Sequence, residues 1–439
     1  MRVVVSPHLI NGTFRVPASK SHTIRRLLIA ALSNGVSTID YPLDSLDACS
    51  CVAVCRALGA SIIEERGFDA ECPNPPDADG RRLIRYTARG VGTALAAPSE
   101  PLDVGNSGTT LFLALAIAAL GTGPVTFTGD EQIRRRSAAP LLAALAGLGV
   151  WTQAADNGCA PITIQGPFTG GRVRLECPTS QYLSALLLAA PLAKKGVVIE
   201  IDVPLLNEKP YIELTLSYLD SQGIVYEKAP DFSYFRLYGG HSYTPMNGPV
   251  PADFSSAAFP ACIAAITGGP LSLPSLDPAD AQGDKLMFDM LAHMGCTVNW
   301  TEQGVSVSRN RPLRGGVFDL NATPDLLPIM AVAASYAEGE TALVNVAHAR
   351  IKETDRIAVM ATELGKLGIC CAERPDALII QGGKVRGGEV DGHGDHRVVM
   401  ALAVAALGAS GPVSIDSAEA ASVTYPSFLR SIAGEHACG

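Results

Sequence analysis

The chain has 439 residues, of which 47% are hydrophobic, and it carries a formal net charge of −9. A chain of this length and composition can fold into two or three domains with large buried cores. Its negative charge argues against binding to bulk nucleic acid or to an acidic membrane surface, although local Lys and Arg clusters still allow a small anionic substrate.

The first residues show no sign of export. Residues 1–20 contain no apolar signal core followed by a cleavage site. The best candidate for a membrane span, residues 111–120, is shorter than the roughly 18–20 residues that cross a bilayer. We therefore predict a cytoplasmic protein that contacts neither membranes nor nucleic acid.

One short unit recurs six times along the chain. It consists of an Ala- and Leu-rich stretch, a Gly and a β-branched strand. The copies lie at 28–39, 114–127, 186–199, 261–273, 331–344 and 402–415. A regular period of this kind predicts an array of one supersecondary unit.

A polar cluster precedes each copy, and its residue types are those that cap helices. The clusters are Ser19-Lys20-Ser21, Gly105-Asn106-Ser107-Gly108-Thr109-Thr110, Thr179-Ser180-Gln181, Asp253-Phe254-Ser255-Ser256, Thr323-Pro324-Asp325 and Asp395-His396-Arg397. We expect six helices to begin there. Helix N-termini attract anions, so converging ends would bind an anionic ligand.

A second, half-polar helix that ends at a Gly follows the first at a distance, which gives a unit of roughly βαβαββ. The first helix of each unit is apolar all round and should be buried. Six units exceed one core, so we predict an α/β fold of two domains with three units each. The expected domains are 1–18 plus 248–439 and 19–247, with a crossover linker near 241–253. The Pro-, Asp- and Arg-rich stretch 67–101 is expected to be a surface excursion.

The 11 cysteines are scattered, and Cys262, Cys296 and Cys370 lie within apolar patterns. We expect free, buried thiols. The spacing of Cys49, Cys51 and Cys55 fits no zinc motif, and the segment 393–396 is more typical of a turn and a cap than of a metal site. We predict no metal and no cofactor.

Basic residues form four clusters, which are Lys20 with Arg25, 134–136, 352–356 and His396 with Arg397. Arg binds phosphate and carboxylate through two nitrogens. Taken singly, each cluster could be a solvated charge run or an ordinary cap. Their equivalent places in the repeat favour a ligand with several anionic groups.

Six stretches carry a resemblance to a known family. They are VPASKSHTIR at 16–25, GNSGT at 105–109, TSQYLSA at 179–185, KPY at 209–211, RIKETDR at 350–356 and DHR at 395–397. In order and spacing they resemble the 5-enolpyruvylshikimate-3-phosphate synthase family. The resemblance implies two domains of three βαβαββ units, with helix N-termini directed into the cleft between them.

The resemblance also implies transfer of the enolpyruvyl group of phosphoenolpyruvate to the 5-hydroxyl of shikimate 3-phosphate by a monomer. The implied ligands of shikimate 3-phosphate are Lys20, Ser21, Arg25, Thr179, Ser180, Gln181, Asp325 and Lys352. The implied ligands of phosphoenolpyruvate are Lys20, Gly108, Arg136, Gln181, Arg356 and Arg397. Asp325 is expected to be the base, and either Glu353 or Lys20 the acid that protonates the methylene carbon. A Gly at position 108 implies sensitivity to the inhibitor glyphosate.

The chain departs from the family pattern at several positions. Phe112 and Ser137 replace an Arg and a Pro, and Glu208 replaces a Ser. His348 and Val423 replace an Asn and a Lys. These changes affect contacts outside the central set of Lys20, Arg136, Asp325, Arg356 and Arg397.

Two alternatives remain open. A UDP-N-acetylglucosamine enolpyruvyl transferase resembles this fold, but it usually has Asn after the first Lys and a reactive Cys in the loop that matches 132–136. Here Ser21 follows Lys20, and that loop contains no Cys. A non-catalytic anion-binding protein is the other alternative, and the presence of Asp325 and Glu353 beside the basic residues argues against it.

Overall fold

The chain forms two compact units in the computed structural model, which describes residues 1–433. One unit comprises Lys20–Val250, and the other comprises Met1–Ser19 with the chain from Pro251 onward. The division into independently folding domains 19–247 and 1–18 plus 248–439, with a linker near 241–253, stays a prediction.

Residues 1–433 contain twelve α-helices, and the first helix of every repeat begins at its polar cluster. One of them, α9, is preceded by the 3-10 turn Pro324–Leu326. The helices are α1 (Lys20–Ala31), α2 (Leu46–Ala57), α3 (Gly108–Ala118), α4 (Ala139–Gly147), α5 (Gln181–Ala189), α6 (Lys209–Ser221), α7 (Phe254–Thr267), α8 (Leu286–Met294), α9 (Leu327–Ser335), α10 (Arg356–Lys366), α11 (His396–Gly408) and α12 (Phe428–Ser431).

The same residues contain 23 β-strands, and a strand follows the Gly of every repeat, as predicted. The strands are β1 (Val3–Val5), β2 (Gly12–Thr13), β3 (Val36–Asp40), β4 (Ser61–Gly67), β5 (Arg82–Arg89), β6 (Leu102–Asp103), β7 (Val125–Thr128), β8 (Trp151–Ala155), β9 (Cys159–Gln165), β10 (Gly171–Arg174), β11 (Val198–Asp202), β12 (Tyr226–Lys228), β13 (Tyr234–Tyr238), β14 (Asn247–Pro249), β15 (Leu271–Pro274), β16 (Thr297–Thr301), β17 (Gly304–Ser308), β18 (Val317–Asp319), β19 (Glu340–Val344), β20 (Cys370–Arg374), β21 (Ala377–Gln381), β22 (Gly388–Asp391) and β23 (Val413–Asp416).

Side-chain caps explain why several helices begin where they do. Ser107 accepts a hydrogen bond from the backbone N–H of Thr110 at the start of α3. At the start of α7, Asp253 accepts one from Ser256 N at 2.9 Å. These caps satisfy N–H groups that the first helical turn leaves without partners.

Five four-stranded sheets share one strand order, which confirms the repeated βαβαββ unit. Within Lys20–Val250 the orders are β14-β3-β5-β4, β6-β7-β9-β8 and β10-β11-β13-β12. In the other unit they are β2-β15-β17-β16 and β18-β19-β21-β20. The first pair is parallel in each sheet, and the other two pairs are antiparallel.

The sixth sheet has three strands in the order β22-β23-β1, so the N-terminal strand completes the last repeat. The first repeat is completed in a similar way, because β14 pairs in parallel with β3. The stretch 241–253 was expected to be an aperiodic crossover. The stretch supplies the strand β14, and three residues are too few to show a period.

The expectation that 67–101 is a surface excursion was wrong in part. The middle of this stretch is β5, which pairs with both β3 and β4. Its buried residues Leu83 and Tyr86 are three positions apart, because the pairing register shifts between Glu65 and Arg66. A bulge of this kind breaks the alternation by which a sequence reveals a strand.

The first helices of the repeats form the two cores, as predicted. Every residue of α3 and of α9 is buried. Helix α3 packs against α1 and α5, whereas α7, α9 and α11 pack against one another. Their many alanines allow close approach, and the polar N-terminal residues are thereby held on rigid elements.

The cysteines in the described part of the chain are free thiols. Cys262 and Cys296 are buried as expected, but Cys370 is exposed at the start of β20, so that expectation was wrong for this residue. Within residues 1–433, none of the helices has the length and apolarity that a bilayer-spanning helix requires.

Candidate active site

Lys20, the first residue of α1, is held by a carboxylate that the sequence did not single out. Its Nζ lies 3.2 Å from Oδ2 of Asp47, which lies in the first turn of α2. The side chain of Lys20 is 16% exposed and that of Asp47 only 4%. The ammonium group is therefore fixed at the start of α1.

Arg25 lies one turn further along α1 and is buried. Its Nε donates to Thr215 Oγ1 at 2.9 Å, and its Nη2 donates to Ser184 Oγ at 3.3 Å. Burial lowers the pKa of Arg25 to about 10, which leaves it charged at neutral pH. The guanidinium is engaged with α5 and α6, and contact with a substrate stays a prediction for Arg25 and for Ser21, whose carbonyl accepts from Arg25 Nη1.

Gly108 and Arg136 are brought together at the start of α3. A Cβ at position 108 would lie 2.5 Å from Arg136 Nη1, so any residue larger than Gly would have to displace the guanidinium group. The Arg136 guanidinium lies over the ring of Phe112 at 6.0 Å, and Phe112 packs edge-on against Tyr182. Phe112 replaces the Arg of the family pattern with an aromatic face that supports Arg136.

The start of α5 brings Thr179 and Ser180 together on one carboxylate. Both hydroxyl groups and the backbone N–H of Ser180 donate to Oε2 of Glu208, which is buried. The next residue, Gln181, donates through Nε2 to Thr109 Oγ1 at 2.9 Å. Gln181 thus joins the start of α5 to the start of α3.

In the other unit, Arg356 lies among three carboxylates at the start of α10. Its Nη1 donates to Asp325 and its Nη2 to Glu353, each at 2.7 Å, while Nε donates to Asp395 at 2.7 Å. Burial by itself would lower the pKa of Arg356, but the carboxylates raise it well above its usual value. A charged guanidinium at this point holds three segments of the unit together.

Asp395 and Arg397 connect this cluster to the start of α11. Asp395 caps the helix by accepting from Arg397 N at 2.9 Å. The Arg397 side chain lies 2.8 Å from Asp325 Oδ2, so Asp325 contacts two guanidinium groups. Burial opposes the ionisation of Asp395, but Arg356 outweighs this effect and lowers its pKa below the usual value.

A further carboxyl group, Asp284, lies in the electrostatic reach of this cluster. It is buried in the 3-10 turn Gly283–Lys285, and Ser255 Oγ donates to it. Burial raises the pKa of Asp284 to about 7, the Asp325 carboxylate adds to the effect, and Arg397 opposes it. Asp284 therefore changes its charge near neutral pH.

Three other positions of interest lie in the same unit. Lys352 follows the 3-10 turn Ala347–Ile351 and is partly exposed. His348 is buried, and its Nε2 lies 3.1 Å from the carbonyl oxygen of Asn321. Val423, which replaces a family Lys, is buried at the end of the 3-10 turn Ala418–Val423.

The structure therefore brings the sequence-predicted residues together in groups. Asp325, Glu353, Arg356 and Arg397 form one cluster, and Gly108 and Arg136 form another. Across the described chain, no His, Cys, Asp and Glu side chains are grouped so that they could hold a metal ion.

Sequence reasoning missed the roles of Asp47, Asp284 and Glu208. Asp47 and Asp284 look like ordinary residues at helix starts, because their contacts lie on other elements. Glu208 was recognised only as a departure from the family pattern. The signal that could have identified it is an acidic residue directly before Lys-Pro. The polar groups of Thr179 and Ser180 at a helix start require a hydrogen-bond acceptor, which such a residue can supply.

The comparisons with known proteins cover nearly the whole chain. The family model described as EPSP synthase (3-phosphoshikimate 1-carboxyvinyltransferase) matches residues 4–432. A 3-phosphoshikimate 1-carboxyvinyltransferase from Acetivibrio thermocellus is 45% identical over 96% of this chain and 95% of that protein. One from Halobacterium salinarum is 38% identical over 99% of this chain and 98% of its own length.

Solved structures show the same fold. The EPSP synthase from Acinetobacter baumannii aligns with a TM-score of 0.77 at 28% identity and covers 98% of this chain and 97% of its own. The enolpyruvyl transferase NikO from Streptomyces tendae aligns with a TM-score of 0.76 over 98% of this chain and 96% of its own, and at 18% identity it shows the fold alone. These matches agree with the repeated unit and the clustered residues, and they show that the chain belongs to the EPSP synthase family.

Proposed function

We propose that this chain transfers the enolpyruvyl group of phosphoenolpyruvate to the 5-hydroxyl of shikimate 3-phosphate and releases inorganic phosphate, a step in the synthesis of aromatic amino acids. The observation that carries this proposal is the position of Asp325, 2.7 Å from Arg356 and 2.8 Å from Arg397. The two guanidinium groups hold this carboxylate in a fixed position beside the site of an anionic substrate, where it can accept a proton. The full-length family match supports the same reaction.

The reaction requires an addition followed by an elimination. Asp325 takes the proton of the 5-hydroxyl, whose oxygen bonds to carbon 2 of phosphoenolpyruvate, while Glu353 or Lys20 protonates carbon 3. The tetrahedral intermediate then loses phosphate and a carbon 3 proton, which restores the double bond. Fixed guanidinium groups stabilise the anionic intermediate, and one such donor typically contributes about 10²–10³ in rate.

The predicted residues form two sets, one for each substrate, and Lys20 and Gln181 belong to both. We assign shikimate 3-phosphate to Lys20, Ser21, Arg25, Thr179, Ser180, Gln181, Asp325 and Lys352. We assign phosphoenolpyruvate to Lys20, Gly108, Arg136, Gln181, Arg356 and Arg397. The fixed ammonium group of Lys20 and the supported guanidinium group of Arg136 are consistent with these assignments. We also propose a cytoplasmic monomer that glyphosate inhibits.

The decisive experiment measures inorganic phosphate released from phosphoenolpyruvate by the purified protein. Release should require shikimate 3-phosphate and should not occur with UDP-N-acetylglucosamine. Release with the UDP-sugar alone would instead favour the UDP-N-acetylglucosamine enolpyruvyl transferase. Binding of both substrates without any release would favour a non-catalytic anion-binding protein.

A further inference from the structure

Glu208 occupies a cradle of hydrogen-bond donors at the start of α5. Thr179 Oγ1, Ser180 N and Ser180 Oγ all donate to its Oε2, at 3.2, 2.9 and 2.7 Å. The residue is only 2% exposed. Three donors that converge on one oxygen are the arrangement that binds an oxyanion.

The position of this carboxylate depends on an unusual backbone conformation. Glu208 has φ 59° and ψ 40°, which is the left-handed region that non-glycine residues rarely adopt. Such a conformation persists where surrounding contacts enforce it. Here the hydrogen bonds to the carboxylate, with the start of α6 at Lys209, keep Glu208 in place.

The helix that follows the cradle adds to its preference for anions. Ser180 directly precedes α5, and its side chain makes no capping bond to the first turn of that helix. The N-terminus of α5 therefore presents a partial positive charge at the cradle. The negative carboxylate of Glu208, which comes from another segment of the chain, is attracted to this charge. The cradle is thus an anion site whose present occupant belongs to the protein.

A phosphate group and the Glu208 carboxylate cannot hold the same three donors, because both are acceptors and both are negative. We propose that Glu208 is an exchangeable internal ligand of the Thr179–Ser180 cradle, which a substrate phosphate must displace in order to bind. Glu208 thereby weakens the binding of a phosphorylated acceptor and determines the affinity of the enzyme for that substrate. This inference rests on the proposed function, in which the acceptor is shikimate 3-phosphate.

The test replaces Glu208 and measures KM for each of the two substrates. Glu208→Gln keeps the shape but removes the charge, so KM for shikimate 3-phosphate should fall by about tenfold. KM for phosphoenolpyruvate should stay unchanged. The matched control is Glu213→Gln on α6, the helix that Glu208 precedes; Glu213 is exposed, and its replacement should change neither constant.

A purely structural cap would behave differently. If Glu208 only stabilises the start of α5, Glu208→Gln would lower Tm and leave the KM for shikimate 3-phosphate unchanged or higher, and that result would overturn the proposal. Glu208→Asp retains the charge and should keep KM close to that of the parent. If Glu208→Gln does not fold, Glu208→Ser provides the same comparison with a smaller side chain.

A second readout is independent of turnover. Inorganic phosphate at a fixed concentration should raise the Tm of Glu208→Gln more than that of the parent chain or of Glu213→Gln. Equal shifts in all three proteins would contradict the proposal. If no protein releases phosphate from phosphoenolpyruvate, the proposed function fails, but the phosphate-dependent Tm still decides the role of Glu208.

Discussion

Arg356 and Asp395 form a two-pronged ion pair in the interior of their unit. Nε lies 2.7 Å from Oδ2 and Nη2 lies 3.2 Å from Oδ1, and both side chains are almost completely buried. The pair joins the start of α10 to the start of α11. Because Nη1 of Arg356 binds Asp325 and Nη2 also binds Glu353, this ion pair positions the carboxylates of the proposed site.

Asp395→Asn should therefore destabilise the protein. The substitution removes one charge of a buried pair and leaves Arg356 with fewer carboxylates, which typically costs about 3–5 kcal/mol. Urea unfolding at neutral pH measures the change. The control is Asp416→Asn, which removes an exposed partner of Arg2 and should leave the free energy of unfolding unchanged. Equal effects of the two substitutions would show that the buried ion pair stabilises the fold no more than the exposed pair does.

Asp325→Asn should stop turnover while the substrates still bind. The amide cannot accept the hydroxyl proton, so the rate should fall by about 10²–10⁴. Arg356 keeps Glu353 and Asp395 as partners, which should preserve the fold. Phosphate release measures the rate, and calorimetry measures binding of shikimate 3-phosphate. A variant as fast as the parent would assign the base to another residue.

Gly108→Ala should weaken the binding of phosphoenolpyruvate. The new Cβ would meet the Arg136 guanidinium at 2.5 Å and push this flexible group off the Phe112 ring. A displacement of this size should raise KM for phosphoenolpyruvate by roughly ten- to a hundredfold. Gly365→Ala is the matched control, because position 365 lies on α10 with nothing within 4 Å of the added carbon. An unchanged KM in Gly108→Ala would show that Arg136 does not bind this substrate.

Asp284→Asn should change how stability depends on pH. In the folded protein Asp284 keeps its proton up to about pH 7, whereas an unfolded chain loses it near about pH 3.9. Between these values the folded state binds more protons, so the free energy of unfolding falls as pH rises through this window. In Asp284→Asn the side chain does not titrate, so the free energy of unfolding does not fall for this reason in the same window.

The measurement for Asp284 is Tm across the same pH window. The Tm of Asp284→Asn minus the Tm of the parent should increase from about pH 4 to about pH 7. Above about pH 7 this difference should stay constant. Asp395 has a lowered pKa, so its contribution is lost only on acidification and does not produce this trend. Parallel curves for the two proteins would contradict the prediction.

Local patterns were sufficient to predict the repeated elements. Ser107 and Asp253 mark helix starts because a short side chain can cap the first turn without help from the rest of the fold. The strand β5 was missed because its bulge depends on pairing with β4. The site was predicted as a set of residues, but its internal contacts were not.

The sequence by itself determined the six repeats, the helix starts and the family, since these depend on residues close together in the chain. Only the tertiary structure decided which charges meet. Arg356 and Asp395 are 39 positions apart, and Thr179 and Glu208 are 29 apart. Such pairings depend on how helices pack, and no local preference specifies them. For this reason the sequence predicted an enzyme for anionic substrates, whereas only the structure showed that the hydroxyl groups of Thr179 and Ser180 donate to the carboxylate of Glu208.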